Sequence, residues 1–225
     1  MNNILFNPLF GIALSILAFS IGLFLNKISN SPLLNPLLVA IAFVIIVLSI
    51  FQIPFTSYQE GGSVISMFLA PATTVLGYSI YHQAKILKKY FWPILAGCLT
   101  GSITSITSVY LLCQLFGLDK KLTASLIPKS VTTPIAMEIS GQLNGIQAVT
   151  VAVVVITGIL GAVLAPLLIK VFHIDNEIAQ GIAIGSCSHA VGTSKAVELG
   201  EVQGAMSGLA IGISGILTVI ISLFF

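Results

Sequence analysis

Charge is what this sequence has least of. It contains no arginine, and its charged residues make up 7% of the 225, against 56% hydrophobic residues. A soluble domain usually carries about a quarter charged residues, so this chain has too few to cover a soluble surface. The net charge of +2 forms no basic patch that could hold nucleic acid. The composition predicts an integral membrane protein and argues against a nucleic-acid partner.

Metal-binding and catalytic motifs are also missing. The three cysteines, Cys98, Cys113 and Cys187, form no CxxC pair and no metal-ligand spacing. The sequence holds no paired acid site, no HExxH motif, no nucleophile with a neighbouring base and no phosphate-binding glycine loop. We therefore expect no metal and no cofactor, and a protein that is not an enzyme.

Long runs without charge are what the sequence does contain. Five of them exceed the roughly 20 residues that a helix needs to cross a bilayer core, and they lack the alternation of barrel strands. They cover residues 1–26, 28–59, 91–118, 139–169 and 202–225. The second should hold a helix near 33–51, and the first a retained membrane helix rather than a cleavable signal peptide. We expect these five to form plain scaffold.

Three further apolar segments, at 61–81, 122–140 and 181–200, are interrupted by proline or by glycine and serine. Such breaks persist at membrane depth only where protein or a water-filled cavity satisfies the freed backbone groups. The pattern is typical of discontinuous helices in secondary transporters. The fold prediction is one all-α polytopic domain over 1–225, with seven or eight membrane segments, some discontinuous or re-entrant.

The topology depends on segment 122–140. Lys27 and the three lysines of loop 82–90 place both loops in the cytoplasm if 61–81 crosses the membrane, with the N-terminus outside. Loop 170–177 is then outside if 122–140 spans, and inside if that segment re-enters. In the second case 33–118 and 146–225 could be halves of an inverted repeat, with 119–145 between them.

Polar residues concentrate at the breaks. Lys129 lies with Ser130, Thr132 and Thr133 between two prolines. An ionisable residue at this depth costs about 2.5–3.5 kcal/mol on insertion scales, so a functional role is expected. Together with the N–H groups of a half-helix, these residues could bind a carboxylate. Alternatively, Lys129 reaches the surface along its aliphatic stem or pairs with Glu138.

The last break supplies a second set of candidates: Ser188, His189, Gly192 and Thr193. His189 could donate a hydrogen bond to substrate or take up a proton near neutral pH.

Other polar residues have weaker support. Glu138 is a possible counter-ion or proton site, and Thr73 and Thr74 could add hydroxyl groups from the first break. Lys195 and Glu198 are spaced to pair on a helix surface.

Four sequence blocks resemble the LrgB/CidB family. PKSVTTPIAME at 128–138 and SHAVGTSK at 188–195 resemble its signature stretches, although Ser194 stands where alanine is common. LNPLL at 34–38, which adds Asn35 to the candidate binding residues, and LAPAT at 69–73 resemble two further blocks. The resemblance runs from about residue 33 to the C-terminus, and four blocks in order make it specific.

The resemblance implies a multi-pass protein of the bacterial cell membrane. Members are described as antiholin-like proteins that modulate murein hydrolase activity and cytolysis beside a small LrgA/CidA-type membrane protein. Other members facilitate pyruvate uptake, and a plastid relative exchanges glycolate and glycerate. Two hypotheses follow: a transporter of small monocarboxylates linked to control of autolysis, or an antiholin-like regulator acting through such a partner. A homodimer is expected, because helices rich in small residues can pack between protomers.

Overall fold

The computed structural model describes residues 7–29, 34, 36–68, 71, 74, 78, 81 and 84–225. Every regular element within these residues is a helix, which confirms the all-α prediction. The helices are α1 (Pro8–Ser29), α2 (Pro36–Ile50), α3 (Phe55–Ser66), α4 (Ala84–Lys89), α5 (Phe91–Leu115), α6 (Lys120–Leu126), α7 (Thr133–Gln142), α8 (Gln147–Val171), α9 (Glu177–Leu199) and α10 (Glu201–Ser222).

The chain forms two compact units, Met1–Ala72 and Thr73–Phe225. In the first unit, α1 packs against both α2 and α3. Gly11 and Gly61 allow the close approach of α1 and α3, because a Cβ on Gly61 would meet the Pro8 carbonyl oxygen. Ser15 Oγ lies 2.8 Å from Tyr58 OH at the same contact. Helix α2 has 15 residues, about 22 Å, which is shorter than a bilayer core of about 30 Å.

Four described helices, α1, α5, α8 and α10, are long and apolar enough to cross a membrane by length and composition. The predicted total of seven or eight membrane segments stays a prediction. The helix predicted near 33–51 is present as α2, and the break expected at 52–60 is shorter, because α3 already begins at Phe55. The break centred on 69–74 lies largely outside the described residues.

In the second unit, α5 and α10 run side by side in the same direction. Cys98 Sγ on α5 lies 3.8 Å from the Ala210 carbonyl oxygen. Further along both helices, the Tyr110 and Phe225 ring centroids are 5.5 Å apart. Helices α5 and α10 are therefore parallel, and their common axis defines the two ends of the unit.

Helices α6 and α7 form a helical hairpin, hairpin 1, whose tip is residues 127–132. Ser125 Oγ in α6 accepts a hydrogen bond of 2.7 Å from the Ile146 backbone N–H, just beyond α7. The Ser140 and Thr150 hydroxyls, 2.7 Å apart, join the end of α7 to the start of α8. The two arms therefore begin and end at the same end of the unit, and segment 122–140 turns back instead of crossing it.

The charge-free run 139–169 does not form one helix, because the chain turns inside it. Residues 139–142 still belong to α7, and α8 begins at Gln147. Between them the chain turns through Asn144 at φ 58°, with the Gly145 N–H donating to the Ser140 carbonyl. Absence of charge shows that a run is apolar, and a tight turn inside it leaves that property unchanged.

Helix α9 is a second hairpin, hairpin 2, because the chain reverses at His189, where φ is 44° and ψ is −145°. Its arms are residues 177–188 and 190–199. Ser207 on α10 contacts both arms: a Cβ on Gly185 would meet its carbonyl oxygen, and its Oγ lies 2.7 Å from Thr193 Oγ1. Ala165, Ile184 and Ala196 form one buried cluster, which brings α8 against both arms.

The two hairpins enter the unit from opposite ends. Hairpin 1 starts where α5 finishes, and hairpin 2 starts where α8 finishes. Helices α5 and α8 are themselves antiparallel, since Gly97 and Gly101 of α5 pack on Ile182 and Ser186, whereas Gly161 of α8 packs on Ser188. Each long helix is thus followed by a hairpin, in opposite orientations. The predicted division into halves 33–118 and 146–225 stays a prediction.

Lysine is unevenly divided between the two ends. One end, named here the Lys-rich end, carries Lys85, Lys88 and Lys89 on α4 and Lys170 at the close of α8. The opposite end carries Lys120 and Lys121 at the start of α6. The positive-inside rule predicts that the Lys-rich end is cytoplasmic. Because 122–140 turns back, loop 170–177 lies at this end.

Candidate functional site

The tips of the two hairpins both lie beside the middle of α5. Ser105 Oγ lies 2.7 Å from Ser130 Oγ in the tip of hairpin 1. One turn earlier, a Cβ on Gly101 would lie 3.0 Å from Ser186 Oγ, close to the tip of hairpin 2. Since α5 runs from Phe91 to Leu115, both tips lie at about half its length.

A cleft of about 980 Å³ runs along α5 and the first arm of hairpin 2. It begins at the Lys-rich end, beside Tyr90, Pro93 and Asn176, and reaches Lys129 and Ser130 in the tip of hairpin 1. Five further polar side chains line it: Thr100, Thr104, Ser105, Ser186 and Cys187. A water-accessible path therefore leads from one end of the unit to its middle.

Lys129 is half-buried at the inner end of this cleft. Its Nζ donates a hydrogen bond of 3.2 Å to Ser130 Oγ, which leaves the Ser130 hydroxyl hydrogen free to donate to Ser105. Glu138 is exposed on α7. Within the described part of the chain, the ion pair closer than 4.0 Å is Lys195–Glu198, at 2.7 Å. That pair is as predicted, whereas Lys129 has no acidic partner there.

Thr132 caps the N-terminus of α7, with an extended backbone at φ −63° and ψ 148°. It is buried, and its hydroxyl has no hydrogen-bond partner among the described residues. Thr133, the first residue of α7, is half-buried. Neither residue lines the cleft, although both lie within four positions of Lys129.

The predicted residues of hairpin 2 hold the hairpin together and do not line the cleft. Ser188 is buried against Gly161, and Gly192 packs on Ser188. Thr193 Oγ1 donates to the His189 carbonyl oxygen, 2.9 Å away. His189 is 3% exposed, and its Nε2 lies 2.9 Å from the Val154 carbonyl oxygen on α8. The residues of this hairpin that reach the cleft are Ser186 and Cys187.

The remaining predicted residues lie elsewhere. Asn35 and Thr73 are outside the described residues, and Thr74 is exposed. Thr74 is not among the residues that line the cleft.

Helix α5 was expected to be plain scaffold, and this is wrong. It contributes one wall of the cleft through Thr100, Thr104 and Ser105. The sequence did contain a signal, because the charge-free run 91–118 carries serine or threonine at almost every turn between residues 100 and 108. Hydroxyl groups lower the hydropathy of a helix only slightly, so a search for charges passes over them.

Taken together, helices long enough to span a bilayer, apolar surfaces and two opposed hairpins define a multi-pass membrane protein. The LrgB-like family matches residues 15–225. An antiholin-like protein LrgB from Bacillus mycoides (strain KBAB4) is 38% identical over 215 residues, covering 95% of this chain and 94% of the relative. The same protein from Bacillus cereus (strain B4264) has the same identity and coverage. No solved structure matches.

The chain therefore belongs to the LrgB-like family and is a multi-pass protein of the bacterial cell membrane. This confirms the resemblance found in the sequence blocks. The relatives are named antiholin-like, and that name describes those proteins.

Proposed function

We propose that this protein is a carrier of small monocarboxylates, of the pyruvate, glycolate or lactate class, and that it is not an enzyme. The observation that carries the proposal is Lys129, a cation without an acidic partner among the described residues, at the inner end of a cleft open to one side. A charge at membrane depth is costly unless a counter-charge or water stabilises it. A substrate carboxylate would supply the counter-charge that the described residues do not.

The charge of the cleft favours one carboxylate over two. Among the described residues that line it, Lys129 is the one lysine, and none is an aspartate or glutamate. A monocarboxylate neutralises this single charge, whereas a dicarboxylate leaves one negative charge in the cleft without a counter-charge.

Hydroxyl groups offer contacts for the rest of a small substrate. The Thr100 and Thr104 hydroxyls are one helical turn apart on α5, and Ser186 faces them from hairpin 2. The Thr100 and Ser186 hydroxyls donate to carbonyl groups of their own helices and keep lone pairs that can accept from a substrate hydroxyl, while Thr104 can donate to a keto group.

The opposed hairpins support movement between two open states. Helix-hairpin pairs in opposite orientations are the arrangement from which many secondary transporters build alternating access, with the substrate site near the midplane. The cleft opens at the Lys-rich end, and a cluster of Ile106, Val109, Cys113 and Ile127 closes the unit beyond the tip of hairpin 1. This state would receive substrate from the cytoplasm.

The second candidate is an antiholin-like regulator that acts on murein hydrolase activity through a small LrgA/CidA-type membrane protein. The names of the Bacillus relatives favour it. The two functions are compatible, because a change in carboxylate flux could itself influence lysis. A homodimer is part of either proposal.

Uptake of labelled pyruvate, glycolate and lactate into proteoliposomes tests the carrier, with and without the small partner. Saturable uptake is expected, and Lys129→Ala should abolish it. Lys121→Ala is the matched control, because Lys121 is exposed at the opposite end of the unit. Absence of saturable uptake in both preparations contradicts the carrier proposal and leaves the regulator.

A further inference from the structure

The reversal of hairpin 2 occurs at a residue that is poorly suited to it. His189 has φ 44° and ψ −145°, a combination that steric contact with the Cβ reserves almost entirely for glycine. Four glycines lie within eleven positions on either side, at 181, 185, 192 and 200. A glycine at 189 would adopt this backbone without strain, so the imidazole must contribute something that glycine cannot.

That contribution is a contact with α8. A carbonyl oxygen can only accept, so the His189 Nε2–H donates to Val154 O, 2.9 Å away, and Nε2 carries the proton. Val154 is fully buried. The ring lies over Gly158, where an added Cβ would be 2.5 Å from His189 Cε1 and 3.0 Å from Nε2. Helix α8 therefore provides both an acceptor and the space for the ring.

The contact sits directly beside the wall of the cleft. Ser186 and Cys187 line the cleft, and they precede His189 by three and two residues. Ser188, between them and the ring, is buried against Gly161 of the same helix α8. The end of the first arm is thus held to α8 on one side while it faces the cleft on the other.

We propose that His189 is a positioning residue: its imidazole ties the tip of hairpin 2 to Val154 and thereby holds Ser186 and Cys187 at the cleft. It neither contacts the substrate nor carries a coupling proton. The consequence for transport rests on the proposed carrier function, whereas the placement of the tip does not.

Cys187 provides a direct readout of tip position. It is exposed, while Cys98 and Cys113 are buried, so a maleimide applied to the folded protein reports on Cys187. Loss of the hydrogen bond in His189→Gly should raise the labelling rate about tenfold, the factor that corresponds to one net hydrogen bond. This variant also removes the backbone strain, so it should fold. His189→Asn, whose amide is too short to reach Val154, should behave in the same way.

His189→Gln is the conservative variant, because its amide N–H can occupy the position of Nε2–H without titrating. It should label within about twofold of the unchanged protein, a difference smaller than one hydrogen bond. Gly158→Ala places a methyl group where the His189 ring packs on α8. It should therefore raise the labelling rate of Cys187 as much as His189→Gly does. Gly62→Ala is its control, since a Cβ there meets only ordinary contacts at 3.7 Å and beyond.

The proposal is overturned if His189→Gly and Gly158→Ala label like the unchanged protein, or if His189→Gln labels as fast as His189→Gly. Where proteoliposomes show uptake, His189→Gly should raise KM with little change in the maximal rate, and His189→Gln should keep the pH profile of uptake. A flattened pH profile in His189→Gln would instead assign His189 to proton coupling. If no uptake is found, the labelling rates still decide the positioning role.

Discussion

The Ser105 and Ser130 hydroxyls, 2.7 Å apart, join the middle of α5 to the tip of hairpin 1. On one side of this bond lies the inner end of the cleft with Lys129, and on the other lies the apolar cluster of Ile106, Val109, Cys113 and Ile127. In the proposed carrier, opening the unit at the opposite end would separate hairpin 1 from α5 and so break this bond.

Removal of either hydroxyl should therefore loosen hairpin 1. Ser105→Ala and Ser130→Ala should each lower the free energy of unfolding by about 1 kcal/mol, as expected for one hydrogen bond. The double variant should cost less than the sum, because the two residues share the bond. Thermal unfolding in detergent measures this. Ser108→Ala is the control, since its exposed hydroxyl bonds only to the Ser105 carbonyl of its own helix. Strict additivity would contradict the coupling.

A second cation in the cleft should extend the substrate range to dicarboxylates. Thr104 is exposed and lines the cleft, so Thr104→Lys adds a positive charge in reach of water. Its attraction for a second carboxylate at an intermediate effective dielectric is worth about a factor of ten or more in affinity. Succinate uptake by Thr104→Lys and by the neutral Thr104→Gln can be compared directly. Equal succinate uptake in both would rule out charge matching as the basis of selectivity.

Helix α8 and hairpin 2 should tolerate no side chain at Gly161. An added Cβ would overlap the Ser188 side chain, and overpacking of this kind costs about 1–3 kcal/mol. Gly161→Ala should lower the unfolding temperature, and Ser188→Gly in the same chain should restore most of the loss. The contact would be disproved if the second substitution brought no recovery, and Gly62→Ala again controls for the change in helix propensity.

The sidedness of the cleft can be tested with the native thiols. Because Cys187 lines a cleft that opens at the Lys-rich end, an impermeant maleimide should label it in inside-out vesicles and scarcely in right-side-out cells. A saturating carboxylate should slow the labelling. Labelling from the outer face alone would reverse the orientation assigned from the lysines.

The breaks in the sequence predicted where the unusual structure lies. Pro128 and the glycines of 181–200 indicated interruptions, and both segments are hairpins. The sequence could not show whether each interrupted segment crosses the unit or turns back. Segment 122–140 turns back because Ser125 meets Ile146, a contact across 21 positions that no local pattern encodes. The turn at His189 was also invisible, because a non-glycine residue gives no sign of a glycine-type backbone.

The candidate site was predicted in part. Lys129 and Ser130 do lie at the cleft, since an ionisable residue in an apolar segment is rare enough to stand out. The predicted residues of hairpin 2 instead pack against α8, α10 and each other: Ser188, His189, Gly192 and Thr193. Which face of a hairpin is buried depends on the helices that pack against it, and the local sequence does not show these. Thr100 and Thr104 were missed, since single hydroxyls in a charge-free run resemble ordinary helix residues.

The shortness of the hairpin arms dictates an order of membrane insertion. Arms of 7 and 10 residues, about 10 and 15 Å long, cannot cross a bilayer, and their tips expose backbone groups that hydrocarbon cannot satisfy. Hairpin 1 should therefore remain at the membrane surface until α8, which is synthesised after it, can pack against it. Hairpin 2 should wait in turn for α10, which follows it in the chain and packs on both of its arms. A chain truncated before α10 would lack the helix on which both arms of hairpin 2 pack, so hairpin 2 should not insert stably into the bilayer.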